Sequence, residues 1–361
     1  MAAILNIIDT LCEQVQGQKT NKPAPAFFRQ HIFHAILDYC SRGEPCENRI
    51  DMMHRFDQFE KCVASIKRRE SRQIQHWLDA IHGRELNLAT DLARIGMSSL
   101  YYPALALHDY FKGNHETALH HLDISLNHFS NLFDQGFGEA IFGMVEQNLN
   151  KVRVLVAAKR NKAAIDETLD LLDFLYADRG GAKYKHEKLA AHCEADKHDS
   201  LVAHYLDELL IKFITSEDGN LVGTLLTQLY ERCDSWAPGN VKNALSLLQR
   251  CRFASDGGGN IALSEYPLSF RSLPFSLQYV LALTLISRSE CELNATQKSI
   301  LINFLSLSST YKRVAKTRWY GDTVEPKQTS TREPKLGSSP PPDSIGRVIP
   351  ERISASLGMA C

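Results

Sequence analysis

Several features are missing from this 361-residue sequence, and each absence removes a class of protein. No stretch approaches the ~20 consecutive apolar residues of a membrane span, so a membrane role is not expected. The nine cysteines, at 12, 40, 46, 62, 193, 233, 251, 291 and 361, never form CxxC. That is neither a small disulfide framework nor a zinc-ribbon spacing. An excess of one charge sign is also lacking. Lys+Arg number 41 and Asp+Glu 42, for a net charge of -1, which gives no global pull toward nucleic acid or an acidic membrane. There is no Walker loop, no GxSxG elbow and no HExxH. The run GFGEAIFG (136–143) is not GxGxxG, and GGGN (257–260) follows no strand, so neither cradles phosphate. The first residues lack the basic start and apolar core of a secretory signal. Scattered thiols then fit a reducing, cytoplasmic compartment. Alternating apolar and polar runs bounded by turns are nearly absent, which argues against a sheet.

Helical periodicity is what the sequence has instead. AFFRQHIFHAILDYC (26–40) puts Phe28, Ile32, Ala35, Ile36 and Tyr39 on one stripe, and 48–66 repeats the pattern with Met52, Phe56, Phe59 and Val63. Further helices are expected over 72–83, 100–112, 114–132, 138–159, 161–177, 186–215, 219–234, 238–252, 274–288 and 294–309. The expected class is all-α. The body, 1–310, reads as one helical domain with a possible subdivision near 253–273, in a stretch (253–274) where three consecutive glycines and two prolines interrupt the pattern. Beyond Tyr311 the composition changes. Six of the thirteen prolines lie there, and the segment carries nine Lys+Arg against five Asp+Glu. Such a segment buries too little apolar surface to offset chain entropy, so 311–361 is expected to be a largely disordered tail.

One stretch reads as a close-packed helical hairpin. LYYPALALHDYF offers Tyr102, Leu105 and Ala106 for packing, Gly113-Asn114 can turn the chain, and Ala118, Leu122, Ser125 and Phe129 recur at helical spacing. These positions resemble a tetratricopeptide repeat, a 34-residue helical pair with Gly at its turn and small residues where the helices touch. Departures are Asp109 where the family favours Tyr, Leu122 where it favours Phe, Ser125 where it favours Ala, and Ser130 where it favours Pro. A second unit at 148–178 places Ala164 46 residues after Ala118. The resemblance implies an irregular right-handed stack of antiparallel helix pairs, a tetratricopeptide-like α-solenoid. A generic helical bundle is the alternative.

Chemistry-bearing residues are sparse, apart from the fourteen histidines. His186, His192, His198 and His204 recur every six residues. On one helix each is turned ~120° from the last, and His186 and His204 lie ~27 Å apart, so these histidines alone do not surround one ion. Closer pairs are Glu194 with His198 and His204 with Glu208, a spacing that dimetal helical bundles use and that solvated helix faces also show. His115, His120 and His121 read as rim residues of a hairpin, with Asp109, His120 and His121 the candidate binding face. The basic run KRRESR (67–72) is broken by Glu70 and reads as a solvated helix end, so nucleic acid is not expected as a partner. The resulting expectation is a non-catalytic protein- or peptide-binding helical-repeat protein of scaffold, regulatory or immunity type, with no cofactor. The alternative is a metal-dependent helical enzyme using the carboxylate–histidine pairs around 186–208.

Overall fold

The computed structural model describes residues 34–82, 90–177, 195–216, 218–233, 237, 239–253 and 273–287, with single positions at 295, 299, 302 and 305. The tail 311–361, the loop 253–273 beyond Phe253, and Glu194 lie outside the described residues, as do His186 and His192. Within them every regular element is helical: α1 (34–40), α2 (Cys46–Arg68), α3 (Ser71–His82), α4 (Asp91–Lys112), α5 (His115–Asp134) and α6 (Ala140–Ala157) come first. They are followed by α7 (Asn161–Ala177), α8 (Ala195–Ile214), α9 (Gly219–Arg232), α10 (Gly239–Phe253) and α11 (Phe275–Ser287). None of these helices is long and apolar enough to cross a membrane.

Among the described residues the expected helices correspond closely, with one informative exception, while 26–33, 186–194 and most of 294–309 lie outside them. The hairpin's first helix begins at Asp91, not near 100. Its start is fixed from a distance. The Thr90 hydroxyl accepts from the Ala93 N–H at 3.1 Å, which caps the helix. Thr90 is in turn held by Glu44, whose carboxylate accepts from the Thr90 N–H (2.7 Å) and hydroxyl (2.6 Å).

α2 packs on α3, each helix from α4 to α10 packs on the one after it, and several also pack on the next but one: α2 on α4, α6 on α8 and α7 on α9. Three turns, those that end α2, α4 and α6, share one closure, which also ends α5 at Gly136, where the N–H groups of Gly136 and Phe137 reach Phe133 and Leu132. Arg69, Gly113 and Lys159 are left-handed, with φ of 60°, 82° and 58°, and they stand 44 and 46 residues apart. In each, two N–H groups reach back over the helix end: Arg69 and Glu70 to Ile66 and Ser65, Gly113 and Asn114 to Tyr110 and Asp109, Lys159 and Arg160 to Val156 and Leu155. Five residues further on, a buried side chain enters the next helix: Ile74, Ala118 and Ala164. Among these three, only at Gly113 does the residue type itself relieve the left-handed strain.

The hairpin residues pack as their types suggest. Ala106, Ala118 and Leu122 are buried, and Leu105 and Tyr102 are partly so. Ser125 is fully buried, and its hydroxyl donates to the Ser99 carbonyl across the hairpin at 2.9 Å. The reason lies four residues beyond Ser99. Pro103, inside α4, has no N–H to give that carbonyl. Ser125 supplies the missing donor, which accounts for a hydroxyl where a tetratricopeptide unit favours Ala. One turn further along α5, Phe129 lies on Gly143 of α6 so closely that a Cβ there would stand 2.2 Å from the ring. This brings α6 into the centre, buried against α5, α7 and α8.

Candidate functional site

The α4–α5 hairpin presents a row of rings. Tyr102 stacks on His128 with centroids 5.7 Å apart and stands 5.9 Å from His121. His121 Nδ1 lies 3.2 Å from Asp109 Oδ2, with both side chains under a fifth exposed. The approach lacks the alignment of a hydrogen bond. Burial draws the His121 and His128 pKa values down, opposed at His121 by the Asp109 carboxylate. Both rings are therefore neutral near pH 7. Of the expected binding residues, Asp109 and His121 engage each other, while His120 is exposed beside them. Lys212 of α8 reaches the end of the same hairpin, donating to the Tyr110 hydroxyl at 3.0 Å.

A second cluster lies between α6 and α8. Gln147, Asn150 and Arg153 are buried on α6 and form a chain: Asn150 Nδ2 donates to Gln147 Oε1 (3.1 Å), and Arg153 Nη1 donates to Asn150 Oδ1 (2.7 Å). The chain crosses to α8 where Arg153 Nη2 donates to Glu208 Oε2 at 2.7 Å. Glu146, one turn before Asn150, is partly buried beside the fully buried Tyr205. The tyrosine hydroxyl interacts with the Glu146 carboxyl but completes no well-aligned hydrogen bond. Burial pushes Glu146 up to about 7, with Arg153 opposing and Glu208 adding to the rise. Burial likewise raises Asp207 and Glu208 and lowers His204.

Asp207 has a structural duty. Its carboxylate accepts from the Ser276 N–H at 2.6 Å and so caps the start of α11 from another helix. Taken together, the cluster joins α6, α8 and α11 through polar groups withdrawn from water. Chemically it can hold one proton near neutral pH at Glu146, while the Arg153 guanidinium stays charged.

Of the carboxylate–histidine pairs at 194–208, only His204 and Glu208 have described side chains. Glu208 is bound to Arg153, and His204 is half-buried near Asp207. His198 belongs to α8, and nothing is described of its side chain. Among the described residues no group of three or more His, Cys, Asp or Glu could hold a metal ion.

The α6 polar residues were not singled out by the sequence, although a signal was present. Phe142, Met144, Val145, Val152, Val154 and Ala157 place apolar residues all around the helix, leaving no side for solvent. A helix apolar on every side is a buried one, so its polar residues must meet partners inside. Comparison of the chain with protein-family models, with curated proteins and with solved structures finds no match in any of the three.

Proposed function

We propose that the chain is a non-catalytic protein- or peptide-binding protein built as an irregular right-handed stack of antiparallel helix pairs. The observation that carries this reading is the recurrence of one turn closure at Arg69, Gly113 and Lys159, at spacings of 44 and 46 residues. Packing of helices on their next-but-one neighbours supports it, since stacked pairs bury their faces against one another in that order. The unit is longer than a 34-residue tetratricopeptide repeat because its helices are longer: α4 and α5 span 22 and 20 residues. Stacking of this kind leaves an extended helical face for a partner, and the Tyr102–His121–His128 row with exposed His120 is the candidate part of that face. The polar cluster between α6 and α8 then serves as an internal tie that fixes the register of successive pairs.

Site-specific photo-crosslinking tests this. A benzophenone amino acid is placed at His120 or, as a control, at exposed Asp170 of α7, and the full chain is irradiated in extract of its own cells. A discrete adduct from position 120 that is absent from position 170 is the expected result. No adduct, or the same adducts from both positions, removes the reading.

A further inference from the structure

The α2–α3 pair encloses a cleft of about 650 Å³ on the outside of the fold. Its lining mixes charge with one aromatic wall: Asp51, Arg55, Asp57 and Lys61 from α2, and Trp77 and Asp79 from α3. The internal cations are already engaged. Buried Arg55 donates to Asp51 at 2.8 Å, and Lys61 to Asp57 at 2.5 Å. That leaves exposed Asp79, whose carboxylate accepts from the Gln75 amide at 2.8 Å and, among the described residues, forms no ion pair. Three carboxylates facing two cations leave the cleft negative. The half-buried indole of Trp77 is engaged by the chain's own Lys61, whose Nζ stands 5.7 Å over its ring, and forms the aromatic wall of the cleft.

An independent feature lies on the rim. Ile50 and Met53 are 51% and 65% exposed, two of the few large apolar side chains so exposed among the described residues. On α2, Ile50 shares a stripe with Asp57 and Lys61, since i+7 and i+11 each fall within ~20° of i, and Met53 lies ~60° to one side. Apolar contact and negative cleft are thus presented side by side.

We propose that this surface docks a peptide segment of the partner through a basic side chain. The charged head of the Lys or Arg pairs with Asp79, its aliphatic stem lying along the wall that Trp77 forms, while an adjacent apolar side chain of the same segment rests on Ile50 and Met53. The inference deepens the binding reading and rests on it. It assigns the chemistry of what is bound, a basic residue next to an aliphatic one.

The probe is acetyl-Leu-Lys-Lys-Leu-amide, with acetyl-Leu-Glu-Glu-Leu-amide as its charge-reversed control. The full chain is labelled with 5-fluorotryptophan, which reports from positions 77, 236 and 319, and Trp77→Phe assigns the fluorine resonance. The Trp77 resonance is expected to shift saturably with the lysine peptide, with a dissociation constant in the millimolar range, and to ignore the glutamate peptide. Asp79→Asn weakens binding about three- to fivefold, the measure of one exposed ion pair. Asp170→Asn, on distant α7, leaves binding unchanged. An unmoved Trp77 resonance, an equal response to the glutamate peptide, or equal weakening by Asp170→Asn overturns the proposal. Because the probe is synthetic, failure here leaves the His120 crosslink untouched, and failure of that crosslink leaves the Trp77 titration standing.

Discussion

The bond between Ser125 and Ser99 should exist for the sake of Pro103, and that dependence can be measured. Ser99 and Ser125 are both fully buried, and the Ser99 carbonyl has lost its helical donor to the proline. Ser125→Ala would leave this carbonyl buried and bereft of the Ser125 donor. Its cost is that of desolvating an unsatisfied acceptor, about 1–3 kcal/mol. Pro103→Ala restores an N–H that can donate to Ser99 along α4. In that background Ser125→Ala removes a redundant donor, and its cost falls below about 1 kcal/mol. The double-mutant cycle therefore carries a coupling of about 1–2 kcal/mol. Urea unfolding of the four full-length proteins, followed by circular dichroism at one pH, gives the four free energies, and unchanged m-values confirm that they are comparable. Equal costs of Ser125→Ala in both backgrounds, within about 0.5 kcal/mol, would refute the reasoning.

Other consequences follow from the interior. Glu146, held at about 7 against its ordinary 4.5, resists ionisation in the fold by at most about 3 kcal/mol. Its folded pKa is raised, so stability falls as pH rises from about 4.5 to about 7. His121, His128 and His204 act oppositely, since their lowered values cost stability as pH falls below 6.5. The clean readout is thus the difference between Glu146→Gln and the natural chain. It should be near zero at pH 4.5 and favour Gln by up to about 3 kcal/mol at pH 8, and parallel denaturation profiles would contradict this. Arg153→Met strips the cation from Glu208 and should cost about 3–5 kcal/mol near pH 7, with the loss shrinking in acid as the carboxyls protonate. Gly143→Ala drives a methyl into Phe129 and should cost about 1–3 kcal/mol, which Phe129→Leu in the same chain partly restores in a thermal melt.

The helices were legible because their apolar stripes are local signals. Gly113, Ala118 and Leu122 announced a hairpin, and the hairpin is there. What stayed hidden depends on residues far apart in sequence. The start of α4 is set by Glu44, which acts on Thr90 across 46 residues. The departure at Ser125 makes sense only beside Pro103 on the facing helix. The pairing of Glu208 with Arg153 spans 55 residues, so the same glutamate could be read as a metal ligand from its spacing to His204. The turn closures at 69 and 159 escaped notice because Arg and Lys occupy a conformation that sequence rules reserve for Gly. The 46-residue offset of Ala118 and Ala164 was visible, and it matches the spacing of two of those turns.

The central claim is that the chain binds another protein through its hairpin face. It is tested most directly by making the segment crosslinked at His120 as a synthetic peptide. That peptide is titrated into the full chain by calorimetry, alongside a His120→Ala, His121→Ala double variant and Asp170→Asn. The account predicts saturable binding, weakened at least tenfold in the double variant and unaltered in Asp170→Asn. Equal affinity for all three proteins, or no binding by any, would contradict it.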